Sequence, residues 1–413
     1  MLKKLTIKNF KAIQDMTMEF TPLTVLIGAN SCGKTTILQA LDFLRTAATR
    51  DLPEYLRERD WSFEELKSKT RDSQESPIEF ISEFRFKIDN EIKTLLWDFS
   101  VDMDKTGWKI KETIKNTNDD KLIIFRGNNP EETFPSNFKQ FSLQSSLLKY
   151  IDPNDGEKEI KELKSFLGSS TYYGLLSPDA IRLGKKTGSV GNIGNGGERL
   201  SAFIHRLNEY DRCELEKIVS DFLGIKIKIR TTETGANLTL FINEKYTEKE
   251  LVIDAWHSSD GFLRIIALVA ISFERLILRH GKSDGGIKMK YDGTYTHRGY
   301  VECNNGMILL DEIENGINPY LTKKTVDLLR GIIEATERQI IITTHSPVIL
   351  NDFSPEEIVF LWKTDDGSVH CKKMFSTEEM KFLLDALNPG EVWINLQKDE
   401  ILEMLSVGKE GIK

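Results

Sequence analysis

A stretch near the N-terminus, residues 26–36 (LIGANSCGKTT), constrains the fold of this chain more than any other feature. It overlaps a short apolar and β-branched run, residues 23–27, which is typical of a buried parallel strand. Apolar residues then recur at helical spacing over residues 37–44. The sequence therefore predicts a strand, a glycine-containing loop and a helix in direct succession.

The loop has the spacing of a phosphate-binding P-loop: glycine, four residues, then Gly-Lys-Thr. Its two glycines tolerate backbone angles that a side chain forbids, so consecutive N–H groups can face a phosphate at the positive end of the helix. We expect Lys34 to bridge the β- and γ-phosphates and the Thr35 hydroxyl to ligate Mg²⁺. The predicted nucleotide contacts are Gly28, Ala29, Asn30, Ser31, Cys32, Gly33, Lys34, Thr35 and Thr36, with Cys32 as a small filler rather than a reactive thiol.

Composition limits the other possibilities. With 413 residues, 39% hydrophobic and 29% charged, the chain is typical of a soluble globular protein of two or three domains. No apolar run approaches the roughly 18 residues of a membrane helix, and the N-terminus lacks the apolar core of a signal peptide. The four cysteines (Cys32, Cys213, Cys303 and Cys371) form no CxxC pair, which favours a reducing cytoplasm and argues against structural zinc. Since the net charge is −8, a nucleic-acid contact would require a local basic patch.

Several segments outside the P-loop have recognisable patterns. Residues 78–88 and 94–102 alternate like an antiparallel hairpin around Asp89-Asn90. Residues 104–170 are charged and turn-rich with an amphipathic candidate helix near 159–167, which predicts an inserted helical lobe. The glycine-dense residues 188–197 are expected to be a mobile surface loop rather than a second nucleotide site.

The second informative motif is residues 258–261 (SSDG), directly before an apolar helical pattern. Serine and glycine at a helix start offer free N–H donors, a hydroxyl and a positive dipole end. The same residues are typical of a plain helix cap, and taken alone that simpler interpretation is favoured.

The third motif is an apolar run, residues 307–310, that ends in Asp311 and Glu312. Functional residues commonly lie at the carboxyl ends of parallel strands. Asp311 is therefore predicted to hold Mg²⁺ through water, and Glu312 to act as general base. A second buried-strand pattern, residues 339–343, leads to His345. A solvated acidic turn and a structural histidine are the simpler interpretations, but the order of these motifs after a P-loop favours catalysis.

This order of motifs resembles the ABC-type ATPase heads, including the SMC- and OLD-like proteins. Residues 5–38 are similar to the N-terminal strands and Walker A of that group. Ser259, Asp260 and Gly261 match the signature motif, Asp311 and Glu312 the Walker B, residues 315–319 the D-loop region and His345 the switch histidine. The resemblance covers residues 1–100 and 171–352 and is greatest to bacterial OLD-like ATPases of anti-phage systems, in which SDG replaces the transporter LSGGQ.

The resemblance implies an α/β fold, an ABC-type P-loop ATPase head with a mixed sheet core, an antiparallel N-terminal β-lobe and a helical insertion. The expected head spans residues 1–375, with the helical insertion at about 103–170, the signature region at about 197–280 and a polar insertion at 281–306; a helical tail spans 376–413. The implied ligands are ATP and Mg²⁺. The implied assembly is a cytoplasmic homodimer or higher homo-oligomer, built through composite ATP sites.

Three departures from the family pattern affect this assignment. Asn318 stands where relatives commonly carry histidine in the D-loop. Gln74 is only a weak candidate for the Q-loop glutamine. Residues 352–413 are too few for the Toprim nuclease domain that OLD nucleases append, so Trp393 and Leu396 are expected to be packing residues.

Two functions fit these features. In the first, the chain is an ATP-driven sensor or scaffold that controls a separate, nuclease-like effector in anti-phage defence. In the second, it is an SMC/RecF-like ATPase of repair or recombination that clamps DNA itself. The missing nuclease domain and the lack of space for long coiled-coil arms favour the first, and no membrane role is expected. The second rests on basic residues whose simpler interpretation is a solvated strand edge: Lys3, Lys4, Lys8, Lys226, Lys228 and Arg230.

Overall fold

The computed structural model describes residues 1–69, 76–105, 107–127, 132–133, 135, 144–152, 157–184, 192–234, 237–274, 287–289, 295–297 and 306–405. The chain divides into two compact units. The first comprises Met1–Ser170, Asn305–Met307 and Ser354–Lys413, and the second comprises Thr171–Asn304 and Ile308–Phe353.

The described parts of the chain contain both strands and helices, in a mixed order. The strands are β1 (Leu2–Phe10), β2 (Ile13–Glu19), β3 (Leu23–Gly28), β4 (Ile78–Ile88), β5 (Glu91–Asp104), β6 (Gly107–Asn116), β7 (Lys121–Arg126), β8 (Thr171–Tyr173), β9 (Lys226–Thr234), β10 (Asn237–Lys245), β11 (Glu250–Asp254), β12 (Ile287–Met289), β13 (Tyr295–His297), β14 (Met307–Leu310), β15 (Gln339–Thr343), β16 (Ile358–Lys363) and β17 (Val369–Lys373). The α-helices are α1 (Lys34–Thr49), α2 (Leu52–Glu58), α3 (Leu147–Tyr150), α4 (Lys158–Gly168), α5 (Pro178–Leu183), α6 (Leu200–Arg206), α7 (Glu209–Leu223), α8 (Asp260–Ile271), α9 (Thr322–Thr336), α10 (Pro347–Leu350), α11 (Glu378–Phe382), α12 (Pro389–Asn395) and α13 (Lys398–Met404). Short 3₁₀ helices lie at Pro319–Leu321, Pro355–Glu357 and Leu383–Asp385.

An antiparallel sheet forms the N-terminal β-lobe of the first unit, with strand order β2-β1-β4-β5-β6-β7. Buried and exposed residues alternate along β4, so one face of the sheet packs on the core while the other faces water. The predicted hairpin is confirmed, because Asp89 and Asn90 join β4 to β5 with φ of 51° and 65°. Positive φ at both central residues is what a two-residue type I′ turn needs.

A second group of strands in the first unit holds the P-loop. Strand β16 pairs in parallel with β3 and antiparallel with β17. Helix α1 follows β3, and its Phe43 ring lies 5.8 Å from the rings of Phe10 and Phe80 in the β-lobe. The helix that carries the P-loop is therefore fixed by its buried face to the sheet beside it.

The C-terminal helices α11, α12 and α13 also belong to the first unit. The Trp393 ring packs edge-on against Phe360 of β16 at 5.7 Å between ring centroids. The prediction that Trp393 is a packing residue is therefore confirmed, and Leu396 is half-buried.

The second unit contains the remaining motifs. Strand β14 lies between β15 and β8 and pairs in parallel with β8. Helix α8 is apolar on nearly all sides and almost completely buried. A separate antiparallel sheet has the order β11-β10-β9, and the N–H groups of Ile227 and Ile229 on the edge strand β9 are bound by side chains of Ser220 and Glu216 on α7.

Some predicted boundaries need correction. The helical insertion does not begin near residue 103, because β6 and β7 extend the antiparallel sheet there and the helices α3 and α4 come later. The expected mobile surface loop is tied down at Ile193, which is fully buried. Gln74, residues 188–191 and nearly all of the polar insertion 281–306 lie outside the described residues. None of the helices in the described parts of the chain is long and apolar enough to span a membrane.

Candidate functional site

The P-loop connects β3 to α1 in the first unit, and its two glycines are required by geometry. Gly28 has φ of 150°, and a Cβ there would collide with the carbonyl oxygen of Leu361. Gly33, the residue before α1, has φ of 98°, and its Cβ would lie 3.0 Å from the Val369 side chain. Only glycine takes these angles without strain and leaves room for the neighbouring strands.

Lys34 is the first residue of α1, and its side chain turns back into the loop. Its ammonium donates to the carbonyl oxygens of Gly28 at 2.8 Å and Ala29 at 3.0 Å, while the residue is only 5% exposed. The first turn of α1 contains no acidic residue, so nothing there neutralises the positive end of the helix. A buried cation and a helix N-terminus therefore converge on one loop.

The rest of the loop divides into an exposed and a buried part. Ala29, Asn30 and Ser31 are exposed, and Thr35 and Thr36 are half-buried at the start of α1. Cys32 is 2% exposed, and burial raises the pKa of its thiol. The thiol therefore stays protonated, as expected of a small filler.

In the second unit, one threonine hydroxyl binds both the predicted metal ligand Asp311 and the predicted general base Glu312. Asp311 and Glu312 directly follow the fully buried strand β14. The Thr343 Oγ1 donates to Asp311 Oδ1 at 2.5 Å and accepts from the Glu312 N–H at 2.8 Å. Glu312 has φ of 48°, an unusual value for a non-glycine residue that this hydrogen bond helps to fix.

His345 and the acidic turn meet in the same unit. The backbone N–H of His345 donates to Glu314 Oε1 at 2.6 Å, while the His345 side chain is exposed. The Asn315 side-chain amide donates to Glu312 Oε2 at 3.3 Å. The turn that carries the predicted general base is thus bound to the loop that carries His345.

The SSDG motif begins helix α8, as predicted. Ser259 is the N-cap residue, although its Oγ accepts from the Phe262 N–H at a long 3.4 Å. Asp260 is 59% exposed and forms a 2.6 Å ion pair with Arg182. Arg182 also donates to the carbonyl oxygen of Ser258 at 3.0 Å, so it fixes the loop from which Ser259 projects.

The start of α8 is packed against the acidic turn. A Cβ on Gly261 would collide with the carbonyl oxygen of Gly316. Arg264, one turn further along α8, donates to Leu176 O at 2.9 Å and to Asn315 Oδ1 at 3.2 Å. Through Asn315, the SSDG helix and Glu312 belong to one hydrogen-bonded network.

A buried polar cluster lies at the other end of α8. Glu274 accepts from the Tyr173 hydroxyl and, at 2.6 Å, from the Ile193 N–H. Burial raises the pKa of Glu274 to about 7, with partial compensation from Tyr173, Ile193, Arg338 and Arg199. The Tyr173 carbonyl oxygen accepts from the Asp311 N–H at 3.1 Å, so this cluster adjoins the acidic pair.

Sequence reasoning identified the motifs but missed the residues that support them. Asp311, Glu312 and His345 come together, and Ser259, Asp260 and Gly261 form the helix start joined to them. Thr343 was overlooked although it stands two residues before His345. Arg182 and Glu274 were not identified, because Arg182 binds Ser258 across 76 positions and Glu274 binds Ile193 across 81.

The comparisons with known proteins identify a family and two partial relatives. The family model described as "AAA domain, putative AbiEii toxin, Type IV TA system" matches residues 23–351, more than half of the chain. The chain is 48% identical over 44 residues to an OLD nuclease of Thermus scotoductus, a match that covers 11% of this chain and 8% of the nuclease. It is 28% identical over 180 residues to the Septu protein PtuA of Bacillus thuringiensis, which covers 42% of this chain and 41% of PtuA.

The matches to these curated relatives span less than half the length of each. Among solved structures, an SMC head bound to the C-winged helix domain of ScpA has a TM-score of 0.51 at 16% identity, covering 90% of this chain and 96% of that one. Identity this low shows the fold alone, and it confirms the predicted α/β head. The chain therefore belongs to the AAA domain family described as putative AbiEii toxin, Type IV TA system, and its α/β fold is similar to that of an SMC head.

Proposed function

We propose that this chain binds MgATP and hydrolyses it to ADP and phosphate, with the predicted site residues in the roles that the motifs suggest. The observation that carries the proposal is the Lys34 ammonium, held 2.8 Å from Gly28 O inside a glycine loop at a helix N-terminus. A cation, inward-facing N–H groups and a positive helix end suit a polyphosphate. The domain boundaries given above, a head over residues 1–375 and a tail over 376–413, belong to the same proposal.

The acidic pair divides the remaining work. Asp311 would hold Mg²⁺ through water and the Thr35 hydroxyl would ligate it, and the bound ion would supply positive charge for the phosphates. Glu312 takes a proton from the attacking water, and His345 contacts the γ-phosphate. Thr343 sets the orientation of both acidic residues through its two hydrogen bonds, so neither has to reorganise during the reaction.

The same proposal includes nucleotide-dependent assembly. Ser259 is exposed at the start of α8 and binds its own helix only weakly, at 3.4 Å, so its hydroxyl is available to a ligand. We assign it, with Asp260 and Gly261, to the γ-phosphate bound by the P-loop of a partner copy. ATP then joins two copies, and its hydrolysis loosens them.

The biological role follows from the relatives. PtuA is named for the Septu system, and the other curated match is an OLD nuclease. We propose that this chain acts in anti-phage defence as an ATP-driven sensor or scaffold that controls a separate, nuclease-like effector.

Two variants test the ATPase directly. Lys34→Ala should fold normally but lose ATP binding, whereas Glu312→Gln should bind MgATP, release phosphate slowly and accumulate the assembled state. Binding is measured by equilibrium dialysis, turnover by phosphate release and assembly by sedimentation velocity. Normal ATP affinity in folded Lys34→Ala would show that Lys34 does not bind the phosphates. Wild-type turnover in Glu312→Gln would show that Glu312 is not the general base.

DNA clamping is the second candidate, favoured by one observation. Lys226, Lys228 and Arg230 alternate along β9 and are all exposed on one face of its sheet. Lys8, by contrast, is paired with Glu79 at 3.4 Å. Reversing charge in Lys226→Glu/Lys228→Glu should weaken binding of duplex DNA in an anisotropy titration if this face clamps DNA, and should leave it unchanged if the sensor role is correct.

A further inference from the structure

The C-terminal helices present an apolar surface that the chain itself does not cover. We define the tail surface as the outward side chains of Phe382, Leu383, Leu384, Leu387, Ile394 and Leu396. Phe382 is 73% exposed and Ile394 is 65% exposed, while the four leucines are half-buried. Helix α12, which carries Ile394, packs against the 3₁₀ helix that follows Phe382. The surface therefore lies on elements that are neighbours in space as well as in sequence.

These residues are not needed to hold the tail in place. The helices are anchored by a different set of side chains, Met380, Val392 and Leu402, which are all fully buried. Further out, Lys372 Nζ donates to Leu405 O at 2.6 Å, and Thr377 Oγ1 donates to Met404 O at 3.0 Å. Helices α11 and α12 thus each bury one apolar residue, Met380 and Val392, and leave another exposed, Phe382 and Ile394.

The backbone beneath the tail surface is also well fixed. The Asn388 N–H donates to Glu391 Oε2 at 2.7 Å, and the Gln397 N–H donates to Glu400 Oε2 at 2.7 Å, so capping boxes begin both α12 and α13. A partner would meet a surface that is already ordered, which lowers the entropic cost of binding.

The rim around the tail surface is strongly acidic. Residues 376–405 contain seven carboxylates and two lysines, a net charge of −5, and all seven carboxylates are exposed: Glu378, Glu379, Asp385, Glu391, Asp399, Glu400 and Glu403. Both lysine ammonium groups already have partners: Lys381 pairs with Glu378 at 2.8 Å, and Lys398 donates to Lys363 O at 2.8 Å. An apolar centre inside an acidic rim selects for apolar anchors flanked by basic residues.

We propose that the tail surface docks a basic amphipathic helix of another protein. A second copy of this chain is disfavoured, because a two-fold contact would place the same seven carboxylates opposite each other. Anionic lipid would be repelled by the same charge. The inference deepens the proposed control of a separate effector by naming the surface and the chemistry of that partner, but its test uses no nucleotide, so either proposal can fail alone.

The test is an anisotropy titration of the full chain against two fluorescein-labelled helical peptides. Both carry leucine at i, i+3, i+4 and i+7, with lysine elsewhere in one and glutamate in the other. The lysine peptide should bind and the glutamate peptide should not. Phe382→Ser and Ile394→Ser should each weaken binding at least tenfold, and Glu379→Lys/Glu403→Lys should weaken it and flatten its salt dependence.

Ile92 provides a matched control, since it is 67% exposed in the same unit but lies on β5. Ile92→Ser should bind like the wild type, and all serine variants should keep the wild-type Tm because the replaced side chains face water. Equal effects of Ile92→Ser and Ile394→Ser would overturn the proposal as non-specific attraction. If the wild type self-associates and Ile394→Ser abolishes this, the partner is a second copy of the chain and the proposal is overturned. If deleting residues 406–413 raises the affinity for the lysine peptide tenfold, the chain's own terminus occupies the surface and the proposal is also overturned.

Discussion

Replacing Thr343 with valine removes the single hydroxyl that serves both acidic residues of the candidate site. Thr343 Oγ1 lies 2.5 Å from Asp311 Oδ1 and 2.8 Å from the Glu312 nitrogen, and the residue is 0% exposed. Because valine has nearly the same shape, the substitution removes the two hydrogen bonds without opening a cavity. At this depth water does not replace them.

The expected loss of stability follows from the two hydrogen bonds that Asp311 and Glu312 lose. A hydrogen bond to a charged group contributes about 1.5–3 kcal/mol, and leaving the Glu312 N–H unpaired costs about 1–3 kcal/mol. Burying a methyl group in place of the hydroxyl offsets about 1 kcal/mol. We expect Thr343→Val to lower the free energy of unfolding by about 1.5–5 kcal/mol. It should slow ATP turnover by about 10–100-fold because Asp311 and Glu312 lose their fixed orientation.

Two neighbouring variants make this prediction sharp. Thr344→Val removes a hydroxyl at nearly the same depth, 1% exposed, whose Oγ1 accepts from the Ser346 N–H at 3.0 Å and not from an acidic residue. Thr343→Ser keeps the hydroxyl and should retain most of the turnover. Stability is measured by urea unfolding and turnover by phosphate release at saturating ATP. Equal turnover in Thr343→Val and Thr344→Val would refute the positioning role of Thr343.

Two further variants test the supports of helix α8. Gly261→Ala should destabilise the chain and slow ATP turnover, because its Cβ would displace the Gly316 carbonyl. The control is Gly168→Ala at the end of α4, where the nearest atom to a new Cβ is 3.9 Å away, and this variant should fold and turn over ATP normally. Glu274→Gln should flatten the pH dependence of stability. The pKa of Glu274 is about 7 in the folded chain against an ordinary value of 4.5, so the stability that it contributes is complete below pH 4.5 and is lost as the pH rises through 7. Urea unfolding at pH 5 and pH 8 should show a wild-type loss about 2–3 kcal/mol larger than that of the glutamine variant, and parallel profiles would exclude Glu274 as the source of this pH dependence.

Local patterns gave the positions of the motifs because those motifs depend on neighbours in sequence. The P-loop, the cap at Ser259 and the acidic pair after β14 are each a strand or helix end with a fixed spacing of residues. Strands β6 and β7 were not recognised, since the charged residues of KIKETIKN (109–116) hide an alternation whose buried half includes Ile110 and Ile114. Charged residues on the solvent-exposed face of a strand do not indicate which strand it pairs with.

The supporting residues could not be predicted, because their roles arise from contacts between distant segments. Arg182 binds Asp260 across 78 positions, and Tyr173 binds Glu274 across 101. Arg264 is an ordinary helix residue until Asn315 is brought beside it. Such networks fix the motifs in space, whereas the motifs alone reveal only which chemistry is available.

The assignment of Ser259 to a partner's nucleotide leads to a test by mixing two inactive variants. Ser259→Arg places a long cation at an exposed position whose own helix-cap bond is weak, so the variant should fold and bind ATP but fail to hydrolyse it. Lys34→Ala should lose ATP binding in its own P-loop. If each site joins the P-loop of one copy to Ser259 of the other, a mixed dimer has one site with neither defect and one with both.

Random exchange between equal amounts makes half of the dimers mixed, so independent sites should recover about a quarter of wild-type turnover. Neither variant alone, nor either mixed with a Lys34→Ala/Ser259→Arg double variant, should recover activity, because no pairing then yields an intact site. Subunit exchange is followed by energy transfer between labelled copies, and turnover by phosphate release. A fully exchanged mixture that stays as inactive as its parents would contradict independent shared sites, because a site completed within one chain remains defective in every mixture of these variants. Equal recovery in the control with the double variant would show that the turnover does not come from a site shared between two copies.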